Sequence, residues 1–444
     1  MLELEDNSAS SADNIFNTLR QNILAGSYQE YMKDLIETLS DDIRDSLDPR
    51  ISNNRLMHIK NKEYFFEISL PGRYFPLDRG GDIHLLDSMI GDMFSLQTNT
   101  SIKNIYINQV EWEDLNLSLK IKKQTPEKTR DAFQLDQYQP ILGFSVKPRL
   151  GLSDTDYFDR CKEVARAGFN IIEPDTRKIL LSEYDLDKHI EFASEICKIQ
   201  QKHICAYSVN LSNYHGNIHQ AVEKLSRSVS RGPIVIKIDT GLNSIWRIKA
   251  VKEAKHDAII TSYPLIKKSI SNRVPSKLFD ELLSYNGIDI MYPGGFVALP
   301  GNGRHYNATE DITHLSESIY KYSSHIKSSK FTPTLTGGLS AGLIHLYYEL
   351  YGPQVGLFIG GAVSTNKNGL EAGATLCSDI INFAVKQRKN ASSYKEIAIP
   401  DSNLIKRIKA ETDSEYIIPK EFIKHNKLEN LTDSNWKIWT SHKF

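Results

Sequence analysis

Short apolar runs alternate with longer amphipathic stretches over the central part of the chain, from about Ile141 to Gln387. The short runs are rich in β-branched residues, whereas Tyr157–Ala167 and Ile190–Gln200 repeat their apolar positions with helical spacing. This alternation predicts repeated βα units and a parallel sheet. Eight strands are predicted, at Ile141–Val146, Phe169–Glu173, Ile204–Val209, Ile234–Ile238, Ala258–Ser262, Ile288–Tyr292, Thr332–Leu335 and Val355–Ile359.

Eight parallel strands in one domain normally close into a barrel, so we predict a (β/α)₈ TIM barrel over residues 141–390. An open, doubly wound sheet is the alternative. Residues 1–140 are predicted to form a smaller N-terminal α+β domain, and residues 391–444 a charged tail with short helices. A chain of 444 residues is long enough for a large barrel and a smaller partner domain.

The pattern changes along the N-terminal domain. Tyr64–Leu70 and Ile102–Ile107 are typical of extended chain, and Ile83–Phe94 is typical of a helix. Met1–Asn14 is acidic and rich in Ser and Asn, which favours a frayed lead over a secretory signal. Residues 15–58 look polar and helical.

The charge balance excludes some classes of partner. With 54 Lys and Arg against 55 Asp and Glu, the net charge is −1, so no long-range field favours nucleic acid or an anionic membrane. No stretch approaches the ~20 apolar residues of a membrane span, and we expect a soluble, cytoplasmic protein. The four cysteines lack C-x-x-C spacing, which argues against a zinc site or a disulfide framework.

Glycine pairs follow the last two predicted strands. Thr336 precedes Gly337 and Gly338 after strand seven, and Gly360 and Gly361 follow strand eight. Glycines let backbone N–H groups approach an anion closely, and a helix N-terminus behind them adds favourable partial charge. The pattern predicts a phosphate site at the carboxyl ends of these strands, where barrels hold their ligands. Simple tight turns are the alternative.

Two basic residues follow strand one. Since the strand is buried, the Lys147 ammonium should point into the barrel mouth, where a lowered pKa would suit it to general acid or base catalysis. Arg149 cannot lose its proton and would hold an anion. The alternative is that both form salt bridges at the rim, with Glu173 or Asp175.

Two acidic residues at the end of strand two are candidate metal ligands. Glu173 and Asp175 lie at i and i+2 of an extended segment, so both carboxylates can face a Mg²⁺ ion. A solvated or salt-bridged acidic pair is the alternative. Lys237 and Asp239 alternate in the same way at strand four and are further candidates for lining the pocket.

The run Lys147-Pro148-Arg149-Leu150-Gly151-Leu152-Ser153 resembles the strand-one signature of RuBisCO large subunits and RuBisCO-like proteins. Thr336-Gly337-Gly338 and Phe358-Ile359-Gly360-Gly361 resemble the two phosphate loops of that family. In order and spacing the resemblance covers roughly residues 60–390. It implies proton transfer of the enolase or isomerase type on a phosphorylated sugar-like or keto compound. It also implies a homodimer, or a multiple of dimers, in which an N-terminal domain covers the partner's barrel mouth.

The departures from the family pattern concern the chemistry. Glu173 stands where the family has a carbamylated lysine, so no lysine carbamate is expected. Tyr292 and Pro293 replace a histidine and a serine at the end of strand six, and the mobile-loop lysine falls near Leu299. We therefore expect no ribulose-bisphosphate carboxylation. A catalytically inactive barrel that binds phosphometabolites or acts as a scaffold is the alternative function.

Overall fold

A computed structural model describes residues 2–6, 50–60, 63–69, 100–105, 125–147, 152–174, 185–199, 204–212, 214–239, 244–263, 276–293, 331–337, 339–391, 394–412, 414–425, 428–430 and 432. The chain divides into two compact units. The first contains residues 1–120 and 266–282, and the second contains residues 121–265 and 283–444. The first unit thus takes in a segment from the second half of the sequence, whereas the predicted domains are continuous stretches.

The first unit contains a four-stranded antiparallel sheet with the order β2-β3-β1-β4. Its strands are β1 (Leu2–Asp6), β2 (Arg50–Lys60), β3 (Glu63–Ser69) and β4 (Thr100–Ile105). The extended runs predicted near β3 and β4 are confirmed. The helix predicted at Ile83–Phe94 lies outside the described residues.

Two predictions for this unit are wrong. The lead at Met1–Asn14 was expected to fray, but Leu2–Asp6 forms a strand that pairs with β3 on one side and β4 on the other. Leu2 and Leu4 alternate with two glutamates, which is the period of a strand. The polar helical pattern of residues 15–58 fails at its end, where β2 begins at Arg50.

The second unit contains a parallel sheet that closes into a barrel. Its strands are β5 (Leu142–Ser145), β6 (Ile171–Glu173), β7 (Ala206–Tyr207), β8 (Val209–Asn210), β9 (Val235–Lys237), β10 (Ile259–Ser262), β11 (Ile290–Met291), β12 (Thr332–Thr336) and β13 (Gly356–Phe358). The predicted third strand is divided at Ser208: β7 pairs with β6, and β8 pairs with β9. All eight predicted strands are present, so the barrel is confirmed and the open sheet is excluded.

Helices follow the strands along the chain. They are α1 (Pro126–Ala132), α2 (Asp154–Arg166), α3 (Leu186–Lys198), α4 (Ile218–Ser228), α5 (Ser244–Ala254), α6 (Ser276–Tyr285), α7 (Ile344–Tyr351), α8 (Gly361–Ser364), α9 (Leu370–Asn390), α10 (Ser402–Thr412) and α11 (Pro419–His425). Side chains of Ser153, Asp185 and Asn217 accept backbone N–H groups at the starts of α2, α3 and α4, which satisfies donors that a helix leaves unpaired. Within the described residues, no helix has the length and hydropathy to cross a membrane.

One buried cluster fills the barrel interior. It contains Phe133, Ile141, Ile171, Ile204, Ala206, Val235, Ile259, Ile290 and Phe358. Gly143 makes room for the largest of the strand side chains, because a Cβ at this glycine would lie 2.5 Å from the Phe358 ring. Since side chains alternate along a strand, residues two positions beyond a cluster member face the same interior.

The C-terminal segment packs on the barrel helices. The Ile417 N–H donates to the Gly342 carbonyl at 3.1 Å, and the Tyr416 hydroxyl lies 2.6 Å from His345 Nδ1. A Cβ at Gly342 would collide with the Glu415 carbonyl oxygen, so glycine is needed at this approach. The predicted short helices of the tail are confirmed as α10 and α11.

All four cysteines are free and buried: Cys161, Cys197, Cys205 and Cys377. Burial raises the pKa of the Cys205 thiol, and raises that of Cys377 to about 12. These thiols therefore act as small buried apolar side chains.

Candidate functional site

The alternation along the strands places polar side chains where the barrel interior opens. Ile171, Val235 and Ile259 belong to the interior cluster. Two residues further along each strand stand Glu173, Lys237 and Thr261. The same polarity change in three strands makes the carboxyl end of the barrel a candidate site, as expected for this fold.

Glu173 and Lys237 meet inside this mouth. Lys237 Nζ donates to Glu173 Oε1 at 3.1 Å and lies 3.7 Å from Asp239 Oδ1. Because β6 and β9 are separated by the third strand, the contact crosses the interior. Glu173 is thus salt-bridged to Lys237, and the Asp239 carboxylate lies beside the same ammonium.

Lys147 and Gly360 also lie together. A Cβ at Gly360 would be 3.3 Å from Lys147 Cε and 3.1 Å from the Ser145 carbonyl oxygen. The contact follows from the pairing of β5 with β13, which makes strand one and strand eight neighbours. The half-buried Lys147 side chain therefore lies against the first glycine of the strand-eight pair.

The other glycines leave space beside their backbone. A Cβ at Gly361 or Gly337 would meet no atom within 4 Å, and Gly337 has a φ of +82°, which favours glycine. The helix that follows Gly360 adds less favourable partial charge for an anion than predicted, because α8 is only four residues long.

Two tyrosines stack at the ends of strands five and six. The rings of Tyr263 and Tyr292 are parallel, with an interplanar angle of 1° and centroids 5.4 Å apart. Burial, and then the neighbouring Tyr263, raise the pKa of Tyr292 to about 12, so its hydroxyl is neutral at physiological pH. The sequence marks Tyr292 as a departure from the family, but no local pattern predicts that its ring stacks on Tyr263.

No family model matches the chain. It is 22% identical over 335 residues to the ribulose bisphosphate carboxylase large chain of Cereibacter sphaeroides, covering 69% of this chain and 67% of the relative. Large chain 2 of Rhodopseudomonas palustris is 21% identical over 351 residues, covering 73% and 71%. The chain is a divergent relative of the RuBisCO large chain.

Solved structures show that this RuBisCO-like chain has the RuBisCO fold. An octameric ribulose-1,5-bisphosphate carboxylase/oxygenase from Pyrococcus horikoshii has a TM-score of 0.65 at 15% identity, covering 92% of each chain. A rubisco-like protein from Burkholderia fungorum has a TM-score of 0.63 at 12% identity, covering 92% and 98%. A dimeric archaeal Rubisco from Hyperthermus butylicus has a TM-score of 0.62 at 14% identity, covering 91% and 94%.

The described residues of the RuBisCO-like chain do not fit a magnesium ion. Mg²⁺ takes about six oxygen ligands at roughly 2.0–2.1 Å. Glu173 Oε1 instead accepts hydrogen bonds from Lys237 Nζ and Ser145 Oγ, each at 3.1 Å. No group of three or more His, Cys, Asp or Glu able to hold a metal occurs in the described part of the chain. The other predicted ligand, Asp175, lies outside the described residues, as do Arg149 and Gly338.

Proposed function

We propose that this RuBisCO-like chain is an enzyme of the enolase or isomerase type, which transfers a proton next to the carbonyl group of a phosphorylated sugar-like or keto compound. The contact between Lys147 and Gly360 carries the proposal. Lys147 is able to exchange a proton, and the glycine backbone beside it is suited to holding a phosphate.

In this proposal the phosphate rests on the N–H groups of Gly337, Gly360 and Gly361. The rest of the substrate then extends toward Lys147. Neutral Lys147 takes the proton from the carbon beside the carbonyl, the C–H electron pair forms the enolate, and the resulting ammonium returns the proton to a neighbouring atom.

Carboxylation is not part of the proposal. In the resembling family that reaction uses a metal held by a lysine carbamate, and Glu173 has no amine that can form one. The Glu173 carboxylate accepts a hydrogen bond from the Lys237 ammonium. The related large chains therefore support the fold and ancestry of this chain, while its chemistry is argued from its own residues.

Ligand-induced stabilisation tests the phosphate site. We expect ribose 5-phosphate or dihydroxyacetone phosphate to raise the melting temperature of the wild type, since a ligand at 100 times its Kd stabilises by about 2.7 kcal/mol. Gly361→Val should fold normally, because its side chain enters open space, yet bind about tenfold more weakly or worse, since that side chain occupies the anion seat. Unphosphorylated ribose is the control ligand.

Equal stabilisation of the wild type and Gly361→Val by the phosphorylated compounds would show that the glycines only form turns. Stabilisation without any proton exchange in D₂O, over a panel of phosphorylated ketones, would favour the inactive binding or scaffold protein. The two measurements therefore separate a failed site from a site that binds without turnover.

We also propose that the chain forms a homodimer or a multiple of dimers. The solved Rubisco of Hyperthermus butylicus is dimeric and that of Pyrococcus horikoshii is octameric. Light scattering at micromolar concentration should give a mass of at least twice 50.5 kDa. A monomer under those conditions would contradict the proposal.

A further inference from the structure

The barrel mouth contains a cation that belongs to the protein. Lys237 Nζ lies between two carboxylates, at 3.1 Å from Glu173 Oε1 and 3.7 Å from Asp239 Oδ1. The side chain of Lys237 is only 6% exposed, and those of Glu173 and Asp239 are 12% and 3% exposed. Water therefore screens this charge cluster poorly, and each charge depends on its neighbours.

Both carboxylates are held in place by further donors. The Ser145 hydroxyl donates to Glu173 Oε1 at 3.1 Å, the same oxygen that binds Lys237. The Tyr263 backbone N–H donates to Asp239 Oδ1 at 3.0 Å, again the oxygen nearest to Lys237. These bonds orient both carboxylates toward the ammonium.

We infer that the Lys237 ammonium is the resident cation of this site and takes the place of a divalent metal. Two carboxylates and one ammonium leave a net charge of −1, whereas the same carboxylates without Lys237 would carry −2. An ammonium already lies between the oxygens that a Mg²⁺ ion would have to bind, each at roughly 2.0–2.1 Å from the metal. Phosphate-ligand binding at the mouth is then independent of Mg²⁺.

Glu173 then has a structural role, which is to pair with the Lys237 ammonium. It occupies the position of the family's metal-binding lysine in sequence, but it serves as the anionic partner of Lys237. Removing the lysine should convert the mouth into a site that attracts divalent cations, because two nearly buried carboxylates then lose the positive charge of Lys237. Removing one carboxylate as well should abolish that attraction.

Manganese binding tests this directly, since Mn²⁺ shares the oxygen ligands of Mg²⁺ and its free form is measured by electron paramagnetic resonance. The proteins compared are the wild type, Glu173→Gln, Lys237→Met and the double variant Lys237→Met/Glu173→Gln. We expect no Glu173-dependent Mn²⁺ binding in the wild type. Lys237→Met should bind Mn²⁺ on the order of tenfold more tightly or better, and the double variant should lose the gain.

Lys224→Met is the matched control, because Lys224 pairs with Asp187 at 2.7 Å in a pair whose side chains are 54% and 68% exposed. It should not change Mn²⁺ binding, because the carboxylate it releases stays in water. Wild-type binding of Mn²⁺ that Glu173→Gln removes would overturn the inference, as would a Lys237→Met protein that binds no more Mn²⁺ than the wild type. If Lys237→Met does not fold, the comparison of wild type with Glu173→Gln still decides the question.

The metal titrations contain no phosphorylated compound, so their result does not depend on the proposed function. Thermal unfolding of the wild type with ribose 5-phosphate, in EDTA and in Mg²⁺, tests whether binding of the phosphorylated ligand depends on the metal. Equal stabilisation with EDTA and with Mg²⁺ supports the inference, whereas stabilisation that requires Mg²⁺ contradicts it. If ribose 5-phosphate gives no stabilisation in either condition, the proposed ligand fails while the Mn²⁺ result stands.

Discussion

Lys147→Met should reduce proton exchange next to the carbonyl of a bound phosphorylated ketone by about 10²–10⁴-fold, the usual contribution of a positioned acid or base. Ligand affinity should change by no more than about threefold, because the phosphate is held by glycine N–H groups and methionine keeps much of the lysine volume. The side chain lies against Gly360, so it is close to the proposed phosphate seat without forming it. Deuterium incorporation measured by NMR in D₂O gives the rate, and calorimetry gives the affinity.

Lys147→Arg separates charge from proton transfer. Arginine keeps the positive charge but does not give up its proton near neutral pH. If Lys147 acts as the base, Lys147→Arg should be about as slow as Lys147→Met. Full activity in Lys147→Arg would assign Lys147 an electrostatic role, and full activity in both variants would remove it from the mechanism.

Lys252→Met should lower the free energy of unfolding by about 3–5 kcal/mol, because it leaves a buried carboxylate without its partner. Lys252 Nζ lies 2.7 Å from Asp289 Oδ2 and also donates to the Ala258 carbonyl at 2.7 Å. The two side chains are 1% and 2% exposed. Urea unfolding followed by circular dichroism measures the loss.

Two further variants identify the cause. Lys252→Met/Asp289→Asn should recover much of the stability, since asparagine is neutral and its side-chain oxygen can still accept the Ile260 N–H. Lys224→Met, which breaks an exposed pair, should cost about 1 kcal/mol or less. A loss in Lys252→Met that the double variant does not reduce would mean that packing, and not charge, dominates.

The effect of Lys252→Met should depend on pH. Burial raises the pKa of Asp289 from 3.8 to about 6, although Lys252 acts in the opposite direction. The folded protein therefore binds the Asp289 proton more tightly than the unfolded chain does. The stabilisation from this protonation is complete below pH 3.8 and is lost as the pH rises through about 6. Without Lys252 the pKa rises further, so the loss measured at pH 8 should exceed that at pH 5. Equal losses at the two pH values would contradict this.

The barrel was predictable because the residues that form each strand and helix follow a pattern visible over a short stretch of sequence. Each predicted strand is a short apolar run, and the alternation of these runs with helices requires a parallel sheet. The division of the third strand at Ser208 was not predictable, because it depends on tertiary pairing. The first half of the strand pairs with β6 and the second half with β9. Leu2–Asp6 was missed for a similar reason: five residues with two leucines become a strand when β3 and β4 pair with them.

The candidate site was predictable in parts. Lys237 and Asp239 were noted from their alternation. The partner of Lys237 was not, because the contact with Glu173 passes over the strand between them and joins residues 64 positions apart. The spacing rule that identifies Glu173 also identifies Ser145, two residues before Lys147, and this signal was not used. The stacking of Tyr263 on Tyr292 depends on the paths of two separate strand ends, which no local pattern records.

Because all four thiols are buried, we expect the native cysteines to react little with thiol-specific labels. Cys161, Cys197 and Cys377 lie in helices and Cys205 precedes β7, and all four side chains are buried away from reagents in solution. A single cysteine introduced at the surface of the barrel would therefore carry a fluorophore or a spin label alone, with the native residues left in place. Distances across the barrel mouth thus become accessible to spectroscopy without first building a cysteine-free protein.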